Sequence, residues 1–141
     1  MKTNFFERCL QLADQALQEN EVPIGAVLVK DSQIIAEAYN QTEQRNSFIC
    51  HAEILVIEEA CRKLENKYLV NCQLYVSVEP CKMCRAAASL SRIESIHYLL
   101  PSAKFGDSGP GYFDTKIQAS DEDELIQQSH LLMRSFFEKR R

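Results

Sequence analysis

No stretch of this chain stays apolar for the roughly 20 residues that a helix needs to cross a bilayer, and its first residues carry no signal-peptide pattern. Internal repeats, low-complexity tracts and an interdomain linker are also missing. Positive charge is short: 16 Lys and Arg stand against 20 Asp and Glu, for a net charge of -4. That balance excludes the basic sheath of a general nucleic-acid coat. Six cysteines are present, but in an intracellular chain thiols stay reduced, so a disulfide framework is not expected. These absences leave a cytoplasmic enzyme with no membrane association, built as one domain over residues 1–141 and long enough to bury a sizeable core.

What is present is ordinary for a globular protein, 45% hydrophobic and 26% charged residues. Charge is nevertheless unevenly placed. Asp121-Glu122-Asp123-Glu124 precedes the last helical segment and Lys139-Arg140-Arg141 ends it. Acids at a helix N-terminus and bases at its C-terminus complement the helix dipole. A local phosphate contact by the basic end is the other reading, open even to an acidic protein. Cys9 and Cys61 fall on apolar helix faces and read as small buried hydrophobes, and Cys72 at a loop end reads the same way.

Phe5, Phe6, Cys9, Leu10, Ala13, Ala16 and Leu17 recur at three-and-four spacing and predict an amphipathic helix that stops before Pro23. Ile24–Lys30 reads as a strand, Asp31-Ser32 as a turn and Gln33–Tyr39 as the hairpin partner. A polar loop from Asn40 to Ser47 leads to a helix beginning near His51 and ending around Asn66. Leu74–Val78 predicts a short buried strand, Cys81–Leu90 a helix with Pro80 at its mouth, and Ile93–Leu100 another strand. Gly106, Gly109, Pro110 and Gly111 mark a loop, Thr115–Ala119 a short edge strand. A final helix from about Glu122 to Lys139 is expected to bury Leu125, Leu132, Met133, Phe136 and Phe137. Helices alternating with strands after the hairpin imply an α/β class, a three-layer α/β/α sandwich on a mixed, mostly parallel sheet of five strands.

Two short motifs carry chemistry: His51-Ala52-Glu53 and Pro80-Cys81-Lys82-Met83-Cys84. Cys81 and Cys84 are three apart, so one helical turn aims both sulfurs at the same point. With His51 opening the neighbouring helix, one imidazole and two thiolates make a three-ligand zinc site whose fourth position is left for water, as catalytic zinc requires. A closed structural site needs a fourth protein ligand. Cys61 lies ten residues along the helix from His51, roughly 15 Å away and out of reach, Cys50 adjoins His51 and neighbouring residues rarely aim at one point, and His97 is expected in a strand as a packed or hydrogen-bonded imidazole. Glu53, two residues from His51, is too far round the helix to share the ligand point but close enough to exchange protons with a water activated by the metal. His-x-Glu followed by Pro-Cys-x-x-Cys is the signature of zinc deaminases. Both helix N-termini add positive partial charge that favours thiolate.

Beyond these motifs the chain resembles the bacterial tRNA-specific adenosine deaminases of the cytidine/deoxycytidylate deaminase superfamily, nearly end to end. The resemblance is carried by Glu21-Val22-Pro23-Ile24-Gly25-Ala26-Val27, Asn40, the two metal motifs, Leu74–Pro80, Ser91-Arg92-Ile93 and Phe136-Phe137-Glu138-Lys139-Arg140-Arg141. It implies a cytidine-deaminase-like fold, one Zn2+ per subunit, and a homodimer that binds a tRNA anticodon loop across both subunits and converts the wobble adenosine to inosine. It further implies that Asn40 bonds the flipped base, that Val22 and Ile24 wall the pocket, and that Arg140 and Arg141 reach phosphates. Structural rivals for these roles are a turn, core packing and a frayed tail. The chain departs from the family in two loops: Ser47-Phe48-Ile49-Cys50 replaces the usual Asp-Pro-Thr-Ala, and Lys104-Phe105-Gly106-Asp107-Ser108-Gly109 replaces a Lys-Thr-Gly-Ala stretch. Two other readings use the same motifs: a deaminase of a free base or nucleoside of guanine or cytosine type, and a zinc-stabilised interaction module without chemistry.

Overall fold

A computed structural model describes residues 4–109 and 115–139. In chain order the elements are α1 (Phe5–Gln18), β1 (Gly25–Lys30), β2 (Gln33–Tyr39), α2 (Ala52–Leu64), β3 (Cys72–Val78), α3 (Lys82–Leu90), β4 (Ser95–Leu100), β5 (Lys116–Ala119) and α4 (Asp123–Lys139). The five strands form one sheet in the order β2-β1-β3-β4-β5.

The sheet is mixed, as expected, with β2, β3, β4 and β5 sharing one direction and β1 opposed to them. β1 runs antiparallel to both β2 and β3, and only the β3–β4 and β4–β5 pairs are parallel. The reason is that α2 carries the chain from β2 past β1 to β3, so the hairpin partner β1 ends up between two strands of opposite direction. β2, β3, β4 and β5 therefore all end at the edge where β1 begins, and every loop leaving those ends gathers there.

Alternation along β1 builds the layers. Ala26 and Leu28 face α2 and α3 in a core that includes Val56, Ala60, Leu74, Val76, Ala88 and Ile96. Val27 and Val29 face α1 beside Cys9 and Leu12. Phe6, Leu10 and Leu99 extend that second layer toward Leu125, Ile126 and Leu132 of α4. Burying a Leu or Ile side chain in this way stabilises the fold by about 1.5–3 kcal/mol each. This is the α/β/α sandwich. Asn4 caps α1 through Phe6 N–H at 3.0 Å and donates to Glu122 at 2.7 Å, joining the starts of the two outer helices.

Gly25 allows the close approach of α1 to β1. A Cβ there would lie 2.1 Å from the Cys9 carbonyl oxygen and 2.7 Å from Leu12 Cβ. Two sequence-based expectations about burial fail. In α4 only Ser129 and Phe136 are buried, Leu125, Leu132 and Met133 are half-buried, and Phe137 is exposed, because the helix lies at the sheet margin over β4 and α1 and not across the centre. Cys61 is likewise half-buried, at the outer edge of α2, whereas Cys9 and Cys72 are buried as expected.

Candidate active site

The site lies where the N-termini of α2 and α3 meet at the loop-rich edge of the sheet. His51 is the residue before α2, extended at φ -71° and ψ 151°, and Cys81 holds the same position before α3 at φ -75° and ψ 173°. Each helix directs its partial positive end at the same point.

The three ligand atoms expected from the sequence are together. Cys81 Sγ lies 3.8 Å from Cys84 Sγ and 3.7 Å from His51 Nδ1, and Cys84 Sγ lies 3.5 Å from the same nitrogen. A tetrahedral zinc with Zn–S of about 2.3 Å and Zn–N of about 2.0–2.1 Å separates two sulfurs by about 3.8 Å, and sulfur from nitrogen by about 3.6 Å. The cluster fits that ion in both donor chemistry and spacing. Among the described residues no fourth His, Cys, Asp or Glu joins the group. His97 stacks on Tyr75 with ring centroids 4.7 Å apart and contacts Ser95 Oγ at 2.9 Å, so it is engaged in the sheet as its strand position suggested.

The cluster is electrostatically coupled. A hydrogen bond from Cys84 holds the Cys81 thiol down to about 4, with His51 acting in the same direction and burial opposing. Cys84 is pushed far above the usual thiol range, first as donor to Cys81 and then by burial. The Cys81 bond also raises His51. Metal ligation takes both sulfurs as thiolates, which a divalent cation and two helix N-termini favour.

Glu53, in the first turn of α2, is 3% exposed. Its Oε1 is buried and has no hydrogen-bond partner among the described residues. Burial pushes its carboxyl up to about 7, against the opposing pull of its own backbone N–H and of His51. A buried carboxyl with an unused oxygen beside a metal-ligand cluster is an arrangement that function, not stability, explains.

Asn40 takes the turn-holding part that stood as the rival to a base contact. Its Oδ1 accepts a 2.8 Å hydrogen bond from Ala52 N–H, the peptide between His51 and Glu53, and so fixes the turn that carries both residues. Val22 and Ile24 are half-buried just before β1, and Ile24 packs against the α2-side core. Arg140 and Arg141 lie outside the described residues.

Four residues that sequence reasoning passed over hold the loops of this edge. Glu21, completely buried, accepts from Glu43 N–H at 3.0 Å and Gln44 N–H at 2.7 Å, pinning the loop that leads to His51. Glu79 accepts from Ser102 N–H at 3.0 Å. Arg85, one residue past the last ligand and buried, pairs with Asp107 at 3.3 Å and donates to the Gly109 carbonyl at 2.7 Å. Ser77 Oγ accepts from Gly25 N–H at 3.1 Å. The signal for these was weak: a polar or charged side chain is usually solvated, and only the fold shows which ones are enclosed.

Comparison with known proteins agrees with this geometry. Residues 1–100 match the model of the cytidine and deoxycytidylate deaminase zinc-binding region. A tRNA-specific adenosine deaminase of Agrobacterium fabrum is 40% identical, over 99% of this chain and 96% of its own. A solved structure from work on A-to-I editing by tRNA:A34 deaminases at the wobble position of transfer RNA is 38% identical with a TM-score of 0.78, covering 82% of this chain and 96% of that one. A guanine deaminase structure from Bacillus subtilis is 30% identical with a TM-score of 0.67, covering 90% of each chain. With its matched zinc-binding region, its overall fold and its near full-length relatives in agreement, the chain belongs to the cytidine and deoxycytidylate deaminase family, among the tRNA-specific adenosine deaminases.

Proposed function

We propose that this protein is a zinc-dependent hydrolytic deaminase that converts the wobble adenosine of a tRNA to inosine, with His51, Cys81 and Cys84 holding the metal and Glu53 moving protons. The observation that carries the chemistry is the buried, unpartnered Glu53 Oε1 beside three ligand atoms spaced for tetrahedral zinc. The tRNA substrate is supported by relatives of that name which match almost the whole chain.

Zinc bound at these residues supplies Lewis-acid activation of a water molecule near neutral pH. Glu53 accepts the proton of the water that adds to C6 of the adenine. It delivers that proton to N1, then takes the proton of the hydroxyl now on C6 and passes it to the exocyclic nitrogen as the C6–N bond breaks, the C6 carbonyl forms and ammonia leaves. Its burial beside the ligand cluster and its unused oxygen suit it to taking up and giving back a proton. Asn40 orients the base; since its Oδ1 is bound to Ala52, the contact falls to the side-chain amide group. Val22 and Ile24 form the apolar wall, and Arg140 and Arg141 neutralise phosphates of the anticodon loop. The target base is already in a single-stranded loop, which lowers the cost of turning it out of its stack. The reading includes a single deaminase domain over residues 1–141, acting as a homodimer in the cytoplasm. No helix among the described residues is long and apolar enough to cross a membrane.

A second reading, deamination of a free base, is favoured by the likeness to the guanine deaminase. One experiment separates them. Purified zinc-loaded protein is incubated with an arginine-type anticodon stem-loop and, separately, with adenine, guanine and cytosine. Inosine in the stem-loop with stoichiometric ammonia is expected; ammonia from a free base alone would replace the tRNA reading with the second.

A further inference from the structure

Two exposed phenyl groups stand on the loops that frame the ligand cluster. Phe48 is 81% exposed and lies three residues before His51, and Phe105 is 67% exposed and adjoins Gly106, which bridges to Cys81. Lone exposed apolar residues need no explanation, but these two occupy the two loops in which the chain departs from the family pattern, and both loops lie at the site edge.

Neither loop is slack. Before His51, Ser47 N–H bonds the Thr42 carbonyl at 3.0 Å, Cys50 N–H the Ser47 carbonyl at 3.2 Å, and Gln41 N–H the Cys50 carbonyl at 3.0 Å. Glu21 holds the same loop from below. On the other side, Gly106 N–H bonds the Ser102 carbonyl and Asp107 N–H the Pro80 carbonyl, both at 2.9 Å. Glu79 and the buried Arg85 fasten that loop again. Gly106 is required by this closeness, since a Cβ would fall 2.6 Å from the Ser102 carbonyl oxygen, besides 2.3 Å from the Glu79 carboxyl. Both phenyls are thus presented to solvent by fixed backbone. Exposed Lys82 and Lys104 accompany them, with Lys104 Nζ 5.2 Å from the Phe105 ring centre. Fixed aromatic faces with interspersed lysines are what unstacked bases of single-stranded nucleic acid bind.

We propose that Phe48 and Phe105 are stacking platforms for the nucleotides that flank the target adenosine, so that they set substrate affinity for RNA over a free base. This rests on the tRNA reading above. The occupant is a single-stranded RNA loop whose neighbouring bases are splayed to either side of the reacting one.

The test is steady-state kinetics on an anticodon stem-loop with Phe48→Ala, Phe105→Ala, and the Leu, Tyr and Trp replacements at each position. Each Ala variant should raise KM about 5- to 150-fold, the alanine-scan range for base stacking, with kcat within about twofold. Tyr and Trp should restore KM, and Leu should not. Because the chain has no tryptophan, Phe48→Trp and Phe105→Trp each introduce the only indole, whose emission should be quenched by the inosine-containing product stem-loop. Unchanged melting temperatures would show that the variants fold.

Wild type that edits the stem-loop, alongside Ala variants of unaltered KM and an unquenched indole, would overturn the stacking proposal alone. So would full rescue by Leu. Variants that change the oligomeric state with KM unmoved would place the phenyls between protein copies and overturn it too. Wild type that leaves the stem-loop unedited would overturn the tRNA reading and this inference together.

Discussion

Replacing Glu21 by Gln should destabilise the protein more than any other isosteric change at the site edge. The carboxylate is completely buried and receives two backbone N–H groups, Glu43 at 3.0 Å and Gln44 at 2.7 Å. Gln keeps one acceptor and turns an NH2 group toward the other backbone donor. One charge-assisted bond, worth about 1.5–3 kcal/mol, is lost, and a backbone N–H is left facing a donor at about 1–3 kcal/mol. Relief of the buried charge offsets part of this, leaving about 2–4 kcal/mol of lost stability. For a chain of this length about 4 °C accompanies each kcal/mol, so Tm should fall roughly 8–16 °C. The assay is thermal and urea unfolding by far-ultraviolet circular dichroism at saturating zinc, so that metal linkage is the same for both proteins. The urea slope should not change, since the surface exposed on unfolding does not. A Tm within about 3 °C of wild type would refute the reasoning, because the loop would then not depend on this carboxylate.

Gly25→Ala should be the most damaging small substitution in the hairpin. Its Cβ would meet Cys9 oxygen at 2.1 Å, in a helix that cannot yield without separating from β1, and a loss above about 3 kcal/mol is expected; soluble protein with wild-type Tm would contradict it. Asn40→Ala should lose about 1–2 kcal/mol with the Ala52 cap. Asn40→Asp keeps that acceptor, so it should retain stability while raising KM; a wild-type KM in this variant would show that no substrate contact is involved. Cys84→Ala removes one of the three clustered ligand atoms, and zinc measured by mass spectrometry should drop from one per chain to a small fraction. Full occupancy would show that the metal sits elsewhere.

The metal-ligand motifs were legible in the sequence because their information is local. His51, Cys81 and Cys84, whose ligand atoms come together, sit at helix starts, and a helix start is written in a few adjacent residues. Helix existence was legible for the same reason, with boundaries off by a residue or two. The place of β1 between β2 and β3 was not. Alternation gives β1 the same pattern whether β3 lies parallel or antiparallel to it, and only the crossover of α2 past β1 decides. β3 begins at Cys72 and not Leu74 because pairing of Lys30 with Cys72 extends it beyond its apolar run. Phe137 is apolar yet exposed, since a helix at the sheet margin has a narrower buried stripe than its pattern suggests. Glu21, Glu79 and Arg85 were illegible because their partners are 22 to 24 residues away and are mostly backbone groups, which carry no sequence signature. Asn40 was read from family likeness as a base ligand, and the structure adds a capping bond 12 residues along the chain.

The central claim is that Glu53 transfers protons beside a metal it does not bind. Zinc content and ammonia release measured together on Glu53→Gln test this most directly, since Gln keeps the shape and removes the proton chemistry. The account predicts about one zinc per chain and a rate reduced by roughly 10²–10⁴ or more. Ammonia release within tenfold of wild type at full zinc occupancy would contradict it.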